Sequence, residues 1–156
     1  MRPLPLLLAV FLLAGCSTLD ALKSLVGLGG PAKTELESIR IVAAADANRN
    51  LPTRLDLVFV YDASLSAQLP KTGPQWFQQK AALLAAWPLK LEALALEIPP
   101  LSEATPTLPK NYGKAVAVLA YADYLAAAGQ PVANLTPFAN VLITLRPEAI
   151  AIAAAP

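Results

Sequence analysis

Arg54-Leu55-Asp56-Leu57-Val58-Phe59-Val60-Tyr61 is the stretch on which the fold turns. Side chains of a strand alternate between its faces. Leu55, Leu57, Phe59 and Tyr61 therefore share one face, while Asp56, Val58 and Val60 take the other. Immediately before it, Asp46 to Thr53 (DANRNLPT) supplies Asp, two Asn and Pro in a short span, with Leu51 as its one apolar anchor. That composition makes a loop. Ahead of the loop, residues 35–45 (ELESIRIVAAA) form a first strand, with Ile39 and Ile41 as the inward pair. Two strands joined this way make either a hairpin or a connection between sheets.

Downstream, the punctuation comes from proline. Asp62 to Pro74 is polar and forms a loop or a single turn, and Pro74 opens a helix over residues 75–86 (QWFQQKAALLAA). Phe77, Ala81 and Leu84 recur at helical spacing, and Pro88 stops the helix on the far side. Trp76 and Trp87 form the edge by which this helix packs on a sheet, or else an exposed docking pair. Leu89–Ile98 resumes strand alternation, with a change of face near Ala93 that points to a bulge or bend. Pro99-Pro100 ends it, and residues 101–113 form a loop. Lys114–Tyr124 is apolar on both faces, as a central strand of a sandwich is. Gly129-Gln130-Pro131 makes a turn, and two short strands, Asn140–Leu145 and Ala149–Ala153, flank the turn Arg146-Pro147-Glu148. About six strands, one helix, turn signals at sandwich-like spacing and no βαβ alternation predict an all-β fold. The expected architecture is an antiparallel β-sandwich over residues 35–156 with a helical insertion at about 75–86.

The formal net charge is +1, and the basic residues Lys33, Arg40, Arg49, Arg54, Lys71 and Lys80 are scattered without forming a stripe. Nucleic-acid binding gains no electrostatic support from this pattern. The sequence has no histidine, which removes Ser-His-Asp and Cys-His catalysis and most transition-metal sites. The 56% hydrophobic content is inflated by alanine and by the N-terminal run; beyond Cys16 no apolar stretch approaches the roughly 20 residues of a spanning helix.

The first residues say where the domain is held. An apolar run from Leu4 ends in Leu13-Ala14-Gly15-Cys16, and Cys16 is the only cysteine. This arrangement resembles the lipobox of bacterial lipoproteins. The resemblance implies that residues 1–15 are a signal peptide, that the Cys16 thiol receives a diacylglycerol, and that the new N-terminus is acylated. Acyl chains contribute about 0.8 kcal/mol per buried methylene, and two or more hold a protein stably on a membrane. The alternative is a cleaved secretory signal with an incidental cysteine, but the chain offers no disulfide partner for it. Residues 16–34 are then a lipidated tether, in which 17–30 (STLDALKSLVGLGG) forms a short amphipathic helix or a flexible spacer. Ser17 follows the cysteine where an inner-membrane retention signal would carry Asp. By the common sorting rule for such lipoproteins, this implies the outer membrane.

The whole order of features resembles the type VI secretion outer-membrane lipoprotein family (TssJ-like). Members carry an Asn-Pro-x-x segment followed by a strand closing in Val-x-x-Tyr. Here the corresponding residues are Asn48-Arg49-Asn50-Leu51-Pro52 and Val58-Phe59-Val60-Tyr61. The resemblance implies a transthyretin-like sandwich, lipid-anchored to the outer membrane and facing the periplasm. Its expected partner is the periplasmic domain of an inner-membrane secretion protein, contacted through the loop between the first two strands. That loop comprises Asp46, Asn48, Arg49, Asn50, Leu51 and Pro52. Arg49 and Asn50 suit hydrogen bonds to a partner and Leu51 a small apolar anchor, although a solvated turn without a partner has the same composition.

No catalytic residues, cofactor or metal are expected. Glu35 and Glu37 are the nearest carboxylate pair, and a solvated strand face accounts for them better than glycosidase chemistry. Asp46, Asn48 and Asn50 have a faintly calcium-loop spacing but lack the Gly and the terminal Glu. The remaining function classes are an envelope lipoprotein that binds a small ligand or lipid between helix and sandwich near Trp76 and Trp87, and a pilotin-type lipoprotein.

Overall fold

The computed structural model describes residues 30–126 and 130–155. The expected signal peptide with Leu13, Ala14 and Gly15, the lipidation candidate Cys16, the expected tether up to residue 29 and residues 127–129 lie outside the described residues. The described residues form eight strands and one α-helix: β1 Ser38–Ala43, β2 Thr53–Val60, α1 Gly73–Ala86, β3 Leu91–Ile98, β4 Glu103–Ala104, β5 Ala117–Asp123, β6 Ala133–Asn134, β7 Asn140–Leu145 and β8 Ile150–Ala154. They make two four-stranded sheets, in the orders β4-β1-β7-β8 and β3-β2-β5-β6. The expected sandwich with one helix is the architecture found.

β2 explains why there are three layers. Leu55, Leu57 and Phe59 are fully buried between the sheets with Ile39, Ile41, Val118, Val141, Ile143 and Leu145. Val58 and Val60, on the other face, are equally buried, but in a second cluster with Trp76, Leu91 and Tyr121 beneath α1. A strand apolar on both faces needs a cover on each, and α1 supplies the second. Replacing one of these buried leucines by alanine costs about 2–5 kcal/mol in such settings.

The helix begins where the sequence says it should. The Thr72 hydroxyl accepts from the Gln75 amide at 3.4 Å, Pro74 occupies the first turn, and Trp87 ends the helix ahead of Pro88. Gly73 is required for contact rather than for conformation: a Cβ there would land on the carbonyl oxygen of Ala122 in β5. Trp76 is the helix's anchor. Its indole stacks on the Tyr121 ring with centroids 4.8 Å apart, and its Nε1 donates to Asp56 at 2.8 Å. Lys80 Nζ reaches the same carboxylate oxygen at 2.7 Å, so this buried charge is paired. Trp87 is half-buried against the same cluster. The pair therefore packs the helix.

The loop after β1 carries the chain from one sheet to the other, the second of the two expected connections. Three details differ from the sequence expectation. β1 and β7 pair in parallel, Ser38 opposite Asn140 through Ala43 opposite Leu145, so one sheet is mixed. No bulge occurs near Ala93, because β2 and β3 pair one-to-one from Thr53–Ile98 to Val60–Leu91. The apparent change of face there arises because Leu91 and Ala93 lie under the helix while Leu94, Leu96 and Ile98 face the sandwich. Finally, β4 and β6 are two-residue strands inside segments with no strand signal, and Lys114 belongs to a 3-10 turn, Tyr112–Lys114, ahead of β5.

Candidate partner-binding surface

Strand directions divide the sandwich into two ends. One end gathers the connections β1–β2, β3–β4, β5–β6 and β7–β8, and we call it the loop end. Its centre is the turn Ala47–Asn50, in which three successive residues adopt left-handed backbone: Asn48 (φ 46°), Arg49 (φ 56°) and Asn50 (φ 65°). Such a conformation costs roughly 1–2 kcal/mol per residue with a Cβ, less for Asn. Something must hold it.

Asn48 does so. Its side chain is buried at 4% exposure, and every polar atom is used. Nδ2 donates to the carbonyls of Pro52 (3.2 Å) and Asp123 (3.4 Å), and Oδ1 accepts from the Leu125 amide (2.9 Å). The Asn48 amide donates to the Arg146 carbonyl at 3.1 Å. One residue thus ties its own loop to those after β5 and β7. The carboxamide oxygen is committed to a backbone amide, which leaves Asp46, Asn48 and Asn50 unsuited to holding a cation together.

This scaffold presents polar and apolar groups together. Asp46, Arg49, Asn50, Leu51 and Pro52 are exposed. Leu51 is joined at the same end by Leu101 (81% exposed) and Leu125 (56% exposed). Leu101 also has positive φ, 54°, and its amide donates to the Ala44 carbonyl at 3.1 Å. A β-turn leucine held in left-handed backbone and turned to solvent is strained without a packing return. The exposed charges offset one another. Arg49 pairs with Glu148 at 2.6 Å, with both side chains more than half exposed, and Asp46 and Arg146 stand nearby. An exposed pair of this kind is worth about 0–1 kcal/mol.

At the loop end, the hydroxyl of Thr53 is buried without a hydrogen-bond partner among the described residues, and that of Tyr124 is buried against the Arg146 backbone. Burial pushes the Tyr124 phenol up to about 12. At the flank, Arg54 pairs with Asp123 and lies over the Phe77 ring, 4.8 Å from its centroid, bracing the first turns of α1 against the loop end.

All six loop residues named from the sequence thus fall on one loop, with Asn48 turned inward as its strut and the others outward. Leu101 and Leu125 had no local signal beyond being leucines next to Pro99-Pro100 and at a strand end. Near Trp76 the helix meets the sheet through the Trp76–Tyr121 stack, and a pocket of about 300 Å³ opens beside Tyr121, lined by Leu69, Pro70, Leu119 and Val132 among others. Glu35 and Glu37 are both exposed, but they precede β1, which begins at Ser38 rather than at residue 35, and so do not stand on a strand face.

No protein-family model matches the sequence, and no curated protein matches it significantly. Solved structures do. The chain is similar to the type VI secretion lipoprotein TssJ1 from Pseudomonas aeruginosa, with a TM-score of 0.54 at 20% identity, over 76% of this chain and 95% of that one. It is also similar to Lip of Serratia marcescens, a membrane-bound component of the type VI secretion system, with a TM-score of 0.55 at 8% identity, over 80% and 99% of the two chains. A chain of a type VI membrane complex matches with a TM-score of 0.50 at 15% identity, over 80% and 98%. The chain has the fold of the TssJ-type lipoproteins.

Proposed function

We propose that this protein is a lipid-anchored periplasmic adaptor of a type VI secretion apparatus. In this reading Cys16 carries the acyl chains that hold it in the outer membrane, and the loop end grips the periplasmic domain of an inner-membrane secretion protein. The observation that carries the reading is the fold likeness to type VI lipoproteins over nearly their whole length, supported by the lipobox-like Leu13-Ala14-Gly15-Cys16. The loop end fits the task, because a rigid turn presenting Leu51, with Leu101 and Leu125 around it, offers an apolar centre within a balanced polar rim. The role is mechanical and requires no catalytic group.

The test is crosslinking and pull-down from membranes. An inner-membrane secretion component should be recovered with the wild-type protein. It should be lost with Leu51→Asp combined with Leu101→Asp, two exposed positions whose substitution leaves the core intact. Recovery of no envelope protein, together with a co-purifying lipid, would overturn the adaptor reading. Cys16→Ser should give a folded protein that no longer fractionates with the outer membrane; continued fractionation there would remove the lipid anchor from the account.

A further inference from the structure

The opposite end of the sandwich is where the chain arrives from its N-terminus. The Thr34 amide donates to the Ala115 carbonyl at 2.8 Å, and the Val116 amide to the Val60 carbonyl at 2.7 Å. The turn between α1 and β3 lies at this same end, since the Tyr61 amide donates to the Lys90 carbonyl at 2.9 Å. At the tip of that turn stands Leu89, 89% exposed and the most exposed large apolar side chain of the described residues. Leu89 and Pro88 line an open groove of about 540 Å³ together with Tyr61, Leu91, Glu92, Asn111 and Lys114. Lys110 and Lys114 are exposed and make no ion pair among the described residues. The acidic group of the groove, Glu92, accepts from the Tyr61 hydroxyl at 2.8 Å, and Asp62, next to Tyr61 in the chain, is paired with Lys90 at 2.7 Å. Glu35 and Glu37 stand exposed beside Thr34, so this end is not uniformly basic.

We propose that this tether end is a lipid-contact face, on which Leu89 enters the interfacial layer of the membrane while Lys110 and Lys114 face lipid phosphates. The inference rests on the lipoprotein reading above. The occupant follows from where the chain goes: if Cys16 is acylated, residues 17–33 span at most roughly 60 Å even when fully extended. That leash keeps the domain at an effective concentration on the order of millimolar at the surface. Even a weak face-specific contact is then well populated. An exposed leucine beside a half-buried tryptophan, Trp87, and a rim of lysine has the composition of interfacial membrane contacts. The face turned to the lipid is also the one remote from Leu51 and Leu101, so the contact leaves the loop end facing away from the membrane.

The test uses the acylated protein in nanodiscs of phosphatidylethanolamine and phosphatidylglycerol, one copy per disc. With Cys16 blocked by its lipid, Leu89→Cys or Leu101→Cys takes an environment-sensitive fluorophore selectively. Emission from position 89 should be blue-shifted and several-fold less accessible to iodide than emission from position 101. Lys110→Glu with Lys114→Glu should remove most of that protection. Equal accessibility at the two positions overturns the proposal, as does protection at position 89 that appears only with several copies per disc, which would assign the face to a second molecule. Intact mass separates the two layers of the argument. An acylated protein with Leu89 in water refutes this inference alone, whereas a protein without acyl chains removes the lipoprotein reading with it.

Discussion

The two ends of this sandwich are held by different chemistry. The central turn of the loop end is braced by neutral, buried bonds, with the ion pairs of Arg49 and Arg54 only at its rim: the Asn48 carboxamide bonds three backbone groups, and its amide bonds a fourth. At the tether end the side-chain bracing is charged and exposed: Lys90 with Asp62, and Tyr61 with Glu92. Buried bonds to backbone are insensitive to salt and to pH, and they are expensive to leave unmade. Exposed ion pairs contribute little and are screened. A surface that must present a fixed shape is served by the first kind. One that needs only to rest against a fluid layer can manage with the second.

Substitutions at the two ends put this contrast at risk. The largest effect is expected from Asn48→Ala, which strands the Leu125 amide and two carbonyls in a buried turn and should lower stability by about 3 kcal/mol in denaturant unfolding. Asn48→Gly should cost about 1 kcal/mol less, since glycine takes positive φ without strain. A loss below about 1 kcal/mol for the alanine variant would mean that the loop is not held as described. Next is Gly73→Ala. The new methyl meets the Ala122 carbonyl, and backbone cannot move aside as a side chain can, so a loss of about 2 kcal/mol is expected. It would displace the start of α1 from the loop after β5, to which the Gly73 amide is bonded through Gln130.

Arg49→Gly is a smaller and opposite test. It relieves a left-handed residue at φ 56° and loses only a surface ion pair, so stability should stay level or rise by less than about 1 kcal/mol. A clear fall in the melting temperature would show that the Arg49–Glu148 pair holds the turn. The smallest effect belongs to the tether end. The Asp62 carboxyl is held below its ordinary range, chiefly by its bond from Lys90 and then by Ser64. Because the folded value is depressed, its contribution is complete above the unfolded value of about 4 and declines as pH falls below it. The melting temperatures of wild type and Lys90→Gln should therefore differ slightly at neutral pH and converge below about pH 4. A constant difference down to acid pH would dissociate Asp62 from the effect.

The sequence made some of this legible for plain reasons. β2 alternates without interruption, and α1 is bracketed by Pro74 and Pro88, so both could be placed from local signals. The bend looked for at Ala93 shows the limit of alternation as a guide: a strand covered on both faces has no polar side to keep the count. Asn48 shows another limit. In DANRNLPT it has the look of a solvated turn residue, and nothing local reveals that its partners are backbone groups at positions 123, 125 and 146. The parallel register of β1 and β7 is equally silent, because pairing partners are set by the closure of the whole chain.

That parallel pair has a consequence for how the molecule comes into being. One sheet is drawn from the middle of the chain, Thr53 to Asn134, interrupted only by β4, whereas the centre of the other joins β1 to β7, with Ser38 bonded to Asn140 across 102 positions. Closing so long a loop costs entropy before any contact repays it, and high contact order makes such pairing slow. The helix-covered sheet is therefore expected to form first. The second waits until β7 and β8 are available, and the pairing of β1 with β7 then closes the fold.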